Sequence, residues 1–175
     1  NDLTEMDNLI AQTLLLARGG NEKLQADVDI NQLIQVITEN YQKAGKDVRF
    51  AGDSECIHSI KADALKRILI NLIDNAVTYS DGLAVTVTCE CNRSDILIKV
   101  IDQGPGIPPE KHKTVFQPFY RLEGSRSKAT GGSGLGLAIV HQLCITNDWE
   151  IKIISPDKKG TTVQLRLPDT PHRQE

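Results

Sequence analysis

The stretch A-D-A-L-K-R-I-L-I-N-L-I-D-N-A-V-T-Y, residues 62–79, decides how the chain must fold. Leu65, Ile68, Leu69, Leu72, Ile73 and Ala76 recur at helical spacing, so the segment is a helix with one wide apolar face. That face needs a layer to cover it. Asn71 and Asn75 stand four residues apart on the other side. Amides on a largely buried helix need polar partners, and such a pair can hold a hydrated cation or phosphate oxygens. Taken alone, the pair also fits two surface amides.

Outward from this helix, Leu83–Glu90 and Ile96–Ile101 alternate apolar and polar residues around Asn92-Arg93-Ser94-Asp95, which reads as a hairpin. Glu150–Ile154 and Thr162–Leu167 form a second antiparallel pair around Pro156–Gly160. Val48–Ala51 and Ile57–Ile60 are short strand candidates. Asp29 suits the cap of a helix with Ile30, Leu33, Ile34, Ile37 and Tyr41 inward, ended by Gly45. A further helix is expected over Ser133–Thr146. Helices and antiparallel strands come in blocks and not in regular βαβ alternation. The expected class is therefore α+β, a two-layer sandwich with helices on one face of a mixed, mostly antiparallel sheet.

At the N-terminus, Leu3, Met6, Leu9, Ile10, Thr13, Leu14 and Ala17 follow helical spacing up to Gly19-Gly20. This reads either as the end of a longer helix whose partner lies outside the chain or as an ordinary helix packed on the domain. The expected division is 1–18 helix, 19–29 linker, 30–168 globular domain and 169–175 flexible tail.

Composition limits the function. The chain has 175 residues, 39% apolar and 25% charged, which excludes a disordered chain. The formal charge is −3, without the global basic field of a nucleic-acid binder. No apolar run approaches the roughly 20 residues of a membrane span, and Asp2, Glu5 and Asp7 do not suit a signal peptide. Cys56, Cys89, Cys91 and Cys144 lack metal or redox C-x-x-C spacing, so all four are expected as small apolar thiols in a reducing compartment.

Two further motifs carry chemistry. D-Q-G-P-G at 102–106 follows an apolar strand, so Asp102 sits at a strand end. Gly104 and Gly106 permit positive φ and close backbone approach. A strand-end carboxylate beside bare backbone suits a planar base with an exocyclic amine, although a tight Gly-Pro turn has the same letters. G-G-S-G-L-G-L-A-I-V at 131–140 brings glycines into a helix start, where backbone N–H groups attract phosphate. It is neither a P-loop, lacking G-K-[ST], nor a dinucleotide fingerprint, lacking the preceding strand.

In this order and combination, the three motifs resemble the catalytic ATP-binding domain of sensor histidine kinases, within the gyrase, Hsp90 and MutL ATPase superfamily. The N box is 71–79, the G1 box 102–107, the F box Phe116-Gln117-Pro118-Phe119 and the G2 box 132–136; the resemblance spans about 30–168. F-Q-P-F-Y-R and Lys66-Arg67 look most like osmosensor-type kinases.

The resemblance implies ATP and Mg²⁺ as ligands. Asn75 would bind the metal with Asn71 assisting, Asp102 would accept the adenine amine, and Tyr79 would lie against the base. Gly104, Gly106, Ile107, Gly132, Ser133, Gly134, Leu135, Gly136 and Thr161 would complete the nucleotide site. A lid over 120–130 would carry Arg121, Arg126 and Lys128 toward the γ-phosphate, with Asn71, Arg121 and Arg126 serving catalysis. Phe116 and Phe119 are expected to pin the lid base by burial. Two departures stand out: Thr78 replaces the usual basic residue three positions after Asn75, and Asn147-Asp148-Trp149 replaces the usual His-Gly-Gly.

ATPases of the superfamily place a general-base Glu four residues before the metal-binding Asn. Here that position is Asn71, whose amide cannot accept a proton. His58, His112, His141 and His172 are followed by Ser, Lys, Gln and Arg, not by the acidic residue expected after a phosphoacceptor. The implied protein is a kinase that phosphorylates a histidine on a dimerisation domain outside this chain. The implied partners are that domain, in a homodimer, and a response regulator, with no nucleic acid and no membrane contact. The expected location is cytoplasmic, the full-length protein lying in the bacterial inner membrane. A superfamily ATPase and an anti-sigma-type serine kinase are the alternatives.

Overall fold

The computed structural model describes residues 26–52, 55–122, 134–155 and 159–168. The helix expected over 3–17, most of the expected lid and the expected C-terminal tail lie outside them. The elements run β1 (Ala26–Asp29), α1 (Ile30–Lys43), β2 (Val48–Gly52), β3 (Ile57–Ile60), α2 (Ala62–Tyr79), β4 (Val85–Cys91), β5 (Asp95–Asp102), α3 (Gly136–Thr146), β6 (Glu150–Ile154) and β7 (Thr161–Pro168). Two single-turn 3-10 helices, Pro109–Lys111 and Thr114–Phe116, lie between β5 and α3.

Five strands form one sheet in the order β2-β4-β5-β7-β6. β2 runs parallel to β4, and every other neighbour is antiparallel. Val85, Val87 and Cys89 of β4, Ile96, Ile98 and Val100 of β5, and Leu165 and Leu167 of β7 are buried at alternate positions. They share one core with Ile30, Ile34 and Ile37 of α1, the apolar face of α2, and Ile139, Val140, Leu143 and Cys144 of α3. The opposite sheet face carries polar side chains, including the ion pairs Lys99–Glu90 at 3.2 Å and Arg166–Asp95 at 2.8 Å. The expected two-layer α+β sandwich is the fold observed.

Local chemistry sets the element ends. Asp29 caps α1 by accepting from the Gln32 N–H at 3.3 Å. The stretch read as a linker ends in strand β1, which pairs antiparallel with β3 in a separate two-stranded sheet. Four residues, A-D-V-D, are too short and too polar for alternation to reveal a strand. The last helix begins at Gly136, where Leu135 provides no side-chain cap. Its C-terminal turn places Asp148 at φ 56°, the left-handed conformation that a glycine usually supplies.

Helix α2 joins the layers, so its core face is the sensitive one. Ile73→Ala, at a fully buried position, should cost about 2–5 kcal/mol of stability in urea denaturation. A loss near zero would contradict the packing.

Candidate active site

The site forms where α2, the loop after β5 and the start of α3 meet. Asn71 Nδ2 donates to the Arg67 carbonyl at 2.9 Å, one turn back, which fixes the amide and turns its oxygen outward. A Cβ added at Gly136 would lie 3.1 Å from Asn71 Oδ1 and 3.9 Å from Asn75 Oδ1. Both carboxamide oxygens therefore face the first turn of α3. Backbone N–H groups at a helix start without a side-chain cap are anion donors, and the helix dipole favours negative charge there. Amide oxygens beside such donors suit a hard cation shared with phosphate, since Mg²⁺ typically takes few protein ligands and completes its shell with phosphate oxygens and water.

Asp102 ends β5. Its Oδ1 accepts from the N–H of Gly104 at 2.8 Å and from the N–H of Thr161 at 3.1 Å. Both bonds fall on one oxygen, and among the described residues Oδ2 accepts none. Burial raises the Asp102 pKa above its ordinary value, and the two N–H donors work against that shift. A half-buried carboxylate with one oxygen fixed by backbone presents the other as a directional acceptor.

The loop beyond Asp102 is held from two sides. The Gly160 N–H donates to the Gly104 carbonyl at 2.7 Å, and Gly160 itself sits at φ 75° with its Cα pressed against the Asp102 carbonyl. The Ile107 N–H donates to Ser155 Oγ at 3.0 Å, and Ser155 in turn donates to the Gly160 carbonyl at 3.0 Å. His112 Nε2 lies 2.8 Å from the Ile107 carbonyl. Gly106 takes the expected positive φ, 78°. Gly104 does not; it is needed because a Cβ there would lie 2.6 Å from the Tyr79 carbonyl oxygen. This contact brings the end of α2 onto the loop, so Tyr79, Asp102, Gly104 and Thr161 come together, as do Asn71, Asn75, Leu135 and Gly136.

Other expectations fare differently. Phe116 is half-buried with its ring 5.5 Å from that of His141. Phe119 is 61% exposed and does not pin the lid by burial. It acts through its backbone instead: at φ 63° its N–H donates to the Gly134 carbonyl at 2.9 Å. Thr78 donates its hydroxyl back to the Asp74 carbonyl at 2.8 Å on the exposed side of α2. Arg121 is half-buried near the start of the stretch expected to form the lid. Arg126, Lys128, Gly132 and Ser133 lie outside the described residues.

The cysteine reading is corrected in part. Cys89 and Cys144 are buried thiols, and burial pushes Cys144 up to about 12. Cys56 and Cys91, by contrast, are joined in a disulfide across 35 residues. The fold brings together the start of β3 and the end of β4, a proximity no local spacing encodes.

The chain belongs to the histidine kinase-, DNA gyrase B- and HSP90-like ATPase family, which it matches over residues 60–171. It is 33% identical to the sensor-like histidine kinase SenX3 of Mycobacterium tuberculosis, over 95% of this chain and 43% of that protein. The chain thus spans less than half the length of the curated relatives it matches. Its structure is similar to the mycobacterial sensor histidine kinase MprB, with TM-score 0.70, 28% identity and coverage of 83% of this chain and 97% of that one. It is also similar to the histidine kinase domain of the E. coli osmosensor EnvZ, with TM-score 0.67, 25% identity and coverage of 89% and 96%. The fold is thus the ATP-binding fold of the histidine kinases.

The glycine contacts predict a contrast. Gly104→Ala meets an unyielding backbone oxygen and should lose about 1–3 kcal/mol in urea denaturation. Gly136→Ala meets only the Asn71 side chain and should lose less stability while crowding the amide pair. Equal costs for the two would contradict the close approach of Gly104 to Tyr79.

Proposed function

We propose that this chain is the ATP·Mg²⁺-binding catalytic unit of a two-component sensor histidine kinase and transfers the γ-phosphoryl group to a histidine on a separate dimerisation domain. The observation that carries this reading is the convergence of the Asn71 and Asn75 oxygens on the start of α3, where the Leu135 side chain forms no cap. On this reading Asp102 Oδ2 accepts from the adenine amine, and Tyr79, Gly104, Gly106, Ile107 and Thr161 bound the base. Asn75 is the metal ligand and Asn71 assists. Mg²⁺, when bound, would neutralise phosphate charge. The first turn of α3, with Gly132, Ser133, Gly134, Leu135 and Gly136, would cradle the phosphates, and Arg121, Arg126 and Lys128 would meet the γ-phosphate.

Little covalent chemistry is required of the chain itself; positioning and charge stabilisation carry phosphoryl transfer. The acceptor histidine nitrogen forms a bond to the γ-phosphorus as the bond to the β–γ bridging oxygen breaks, and ADP departs. Asn71 favours transfer over hydrolysis, because its amide, already donating to Arg67, is no general base for water. The partners on this reading are the dimerisation domain of a homodimer and a response regulator, and the setting is the cytoplasmic side of an inner-membrane protein. Among the described residues, no helix is long and apolar enough to cross a membrane.

Asp102→Asn replaces the free acceptor by an amide that also presents a donor. Adenine-nucleotide affinity measured by calorimetry should fall about 10–100-fold, equivalent to about 1.5–3 kcal/mol; unchanged affinity would refute the base-recognition role. Stability should move the other way. A carboxyl whose pKa is raised by folding stabilises the fold below its unfolded pKa and loses that contribution as pH rises through its folded pKa. At neutral pH the wild-type carboxylate therefore costs stability, and the variant should melt no lower than wild type, with a flatter acid-side profile.

Purified alone, the chain should hydrolyse ATP very slowly and acquire no phosphohistidine. Adding a dimerisation domain that carries its histidine should give an acid-labile, base-stable phosphoryl group on that domain. Vigorous hydrolysis by the isolated chain would favour an ATPase, and phosphoserine on an added protein would favour a serine kinase.

A further inference from the structure

Away from the nucleotide site, Cys56, His58 and Cys91 gather their sulfur and nitrogen atoms within 4.8 Å of one another. Cys56 precedes β3, and its carbonyl accepts from the Ile30 N–H at 2.9 Å, which fixes its backbone against the start of α1. His58 lies two residues on, in register with Val28 of β1. Residues 56 and 58 share a face by strand periodicity. Cys91 ends β4 opposite Ile96, whereas Asp102 ends β5 at the other extreme of the same ladder. The cluster is therefore remote from the adenine acceptor. Cys56 is buried, while His58 and Cys91 are half-buried, so one side of the cluster faces solvent.

His58 Nε2 lies 3.5 Å from Cys91 Sγ. With Zn–S at about 2.3 Å and Zn–N at about 2.0–2.1 Å, the sulfur–nitrogen edge of a tetrahedral zinc site comes to about 3.5 Å. The imidazole thus already stands at the ligand spacing such a site needs. The two sulfurs, bonded in this structure with their Cα atoms 5.9 Å apart, need separate only to about 3.8 Å, the sulfur–sulfur edge of the same tetrahedron. Side-chain rotation can supply that displacement. Two thiolates and one imidazole are donors of borderline-to-soft character, which match Zn²⁺ and do not match Mg²⁺.

We propose that Cys56, His58 and Cys91 form a Zn²⁺ site in the reduced protein, with the fourth position open to water, and that the disulfide is the metal-free oxidised form of the same cluster. A dithiol reductant converts the disulfide form into the metal-binding form. It delivers two electrons and two protons to the Cys56 and Cys91 sulfurs and leaves as its own disulfide. Zn²⁺ then displaces both thiol protons. Either bond ties β3, which leads through Lys61 into α2, to the end of β4.

The chain, reduced and separated from the reductant without air, is titrated with Zn²⁺ against a chromophoric chelator, and with Co²⁺ by absorption. The expected result is one equivalent of Zn²⁺ bound, with thiolate-to-cobalt charge-transfer and tetrahedral d–d bands for Co²⁺. Cys91→Ser and His58→Gln should each weaken Zn²⁺ at least tenfold, about 1.4 kcal/mol, while Cys144→Ser should leave binding unchanged. Circular dichroism and ATP affinity report whether each variant is folded. If reduced wild-type protein with four titratable thiols takes up no stoichiometric metal, the pair is a plain disulfide and the proposal fails. It fails equally if the folded Cys56→Ser/Cys91→Ser variant binds Zn²⁺ as wild type does.

Discussion

The Asp102 carboxylate is the junction on which the site depends. One oxygen binds two backbone N–H groups, from Gly104 in its own loop and from Thr161 on the neighbouring strand β7. Those bonds lock the loop after β5 to the sheet, and the bare Cα of Gly104 then lets the end of α2 settle against it. The helix bearing Asn71 and Asn75 is thereby set in register with the acceptor at the strand end. A carboxylate here organises two backbone segments with one oxygen and keeps the other as an acceptor, where an amide would present a donor.

That arrangement works against stability locally. Burial disfavours the charged form of Asp102, and two N–H donors only partly offset it. An amide at this position accepts the same two bonds without the desolvation cost of a charge. Such a desolvation cost fits the base-recognition role proposed for Asp102, where recognition and not stability selects the residue. The core supplies the surplus that tolerates it: α2 alone buries Leu65, Ile68, Leu69, Leu72 and Ile73 against the sheet.

Much of this was legible in the sequence because the relevant signals are local. Helical spacing marked the apolar face of α2, and strand alternation marked β4 and β5. Asn71, Asn75 and Asp102 were identifiable as residue types placed on such elements. What escaped was set by long-range geometry or by backbone alone. β1 is four residues of mixed polarity and exists because β3 is beside it. Phe119 reads as a core aromatic, yet a positive φ and a bond to the Gly134 carbonyl turn its ring outward. Of the two roles read for Gly104, the close backbone approach holds and the positive φ does not. Cys56 and Cys91 are distant in sequence, and only the docking of the β1–β3 pair on the end of β4 makes them neighbours.

The recognition surface that results is built with little fixed charge. On the proposed reading the cation would meet neutral amide oxygens and the phosphates would meet backbone N–H groups at the start of α3, and Asp102 is the one carboxyl among the residues brought together. Neutral ligands bind Mg²⁺ weakly on their own, so the metal's affinity must come mainly from the phosphates it arrives with. On the proposed reading such a site would bind the nucleotide and its metal as one unit and release both once the phosphate charge has changed. Asn71 completes this logic: a carboxylate at that position would strengthen the metal site and also supply a base for water. An amide gives up both, which on the proposed reading would leave the γ-phosphoryl group intact until a nucleophile from outside the chain reaches it.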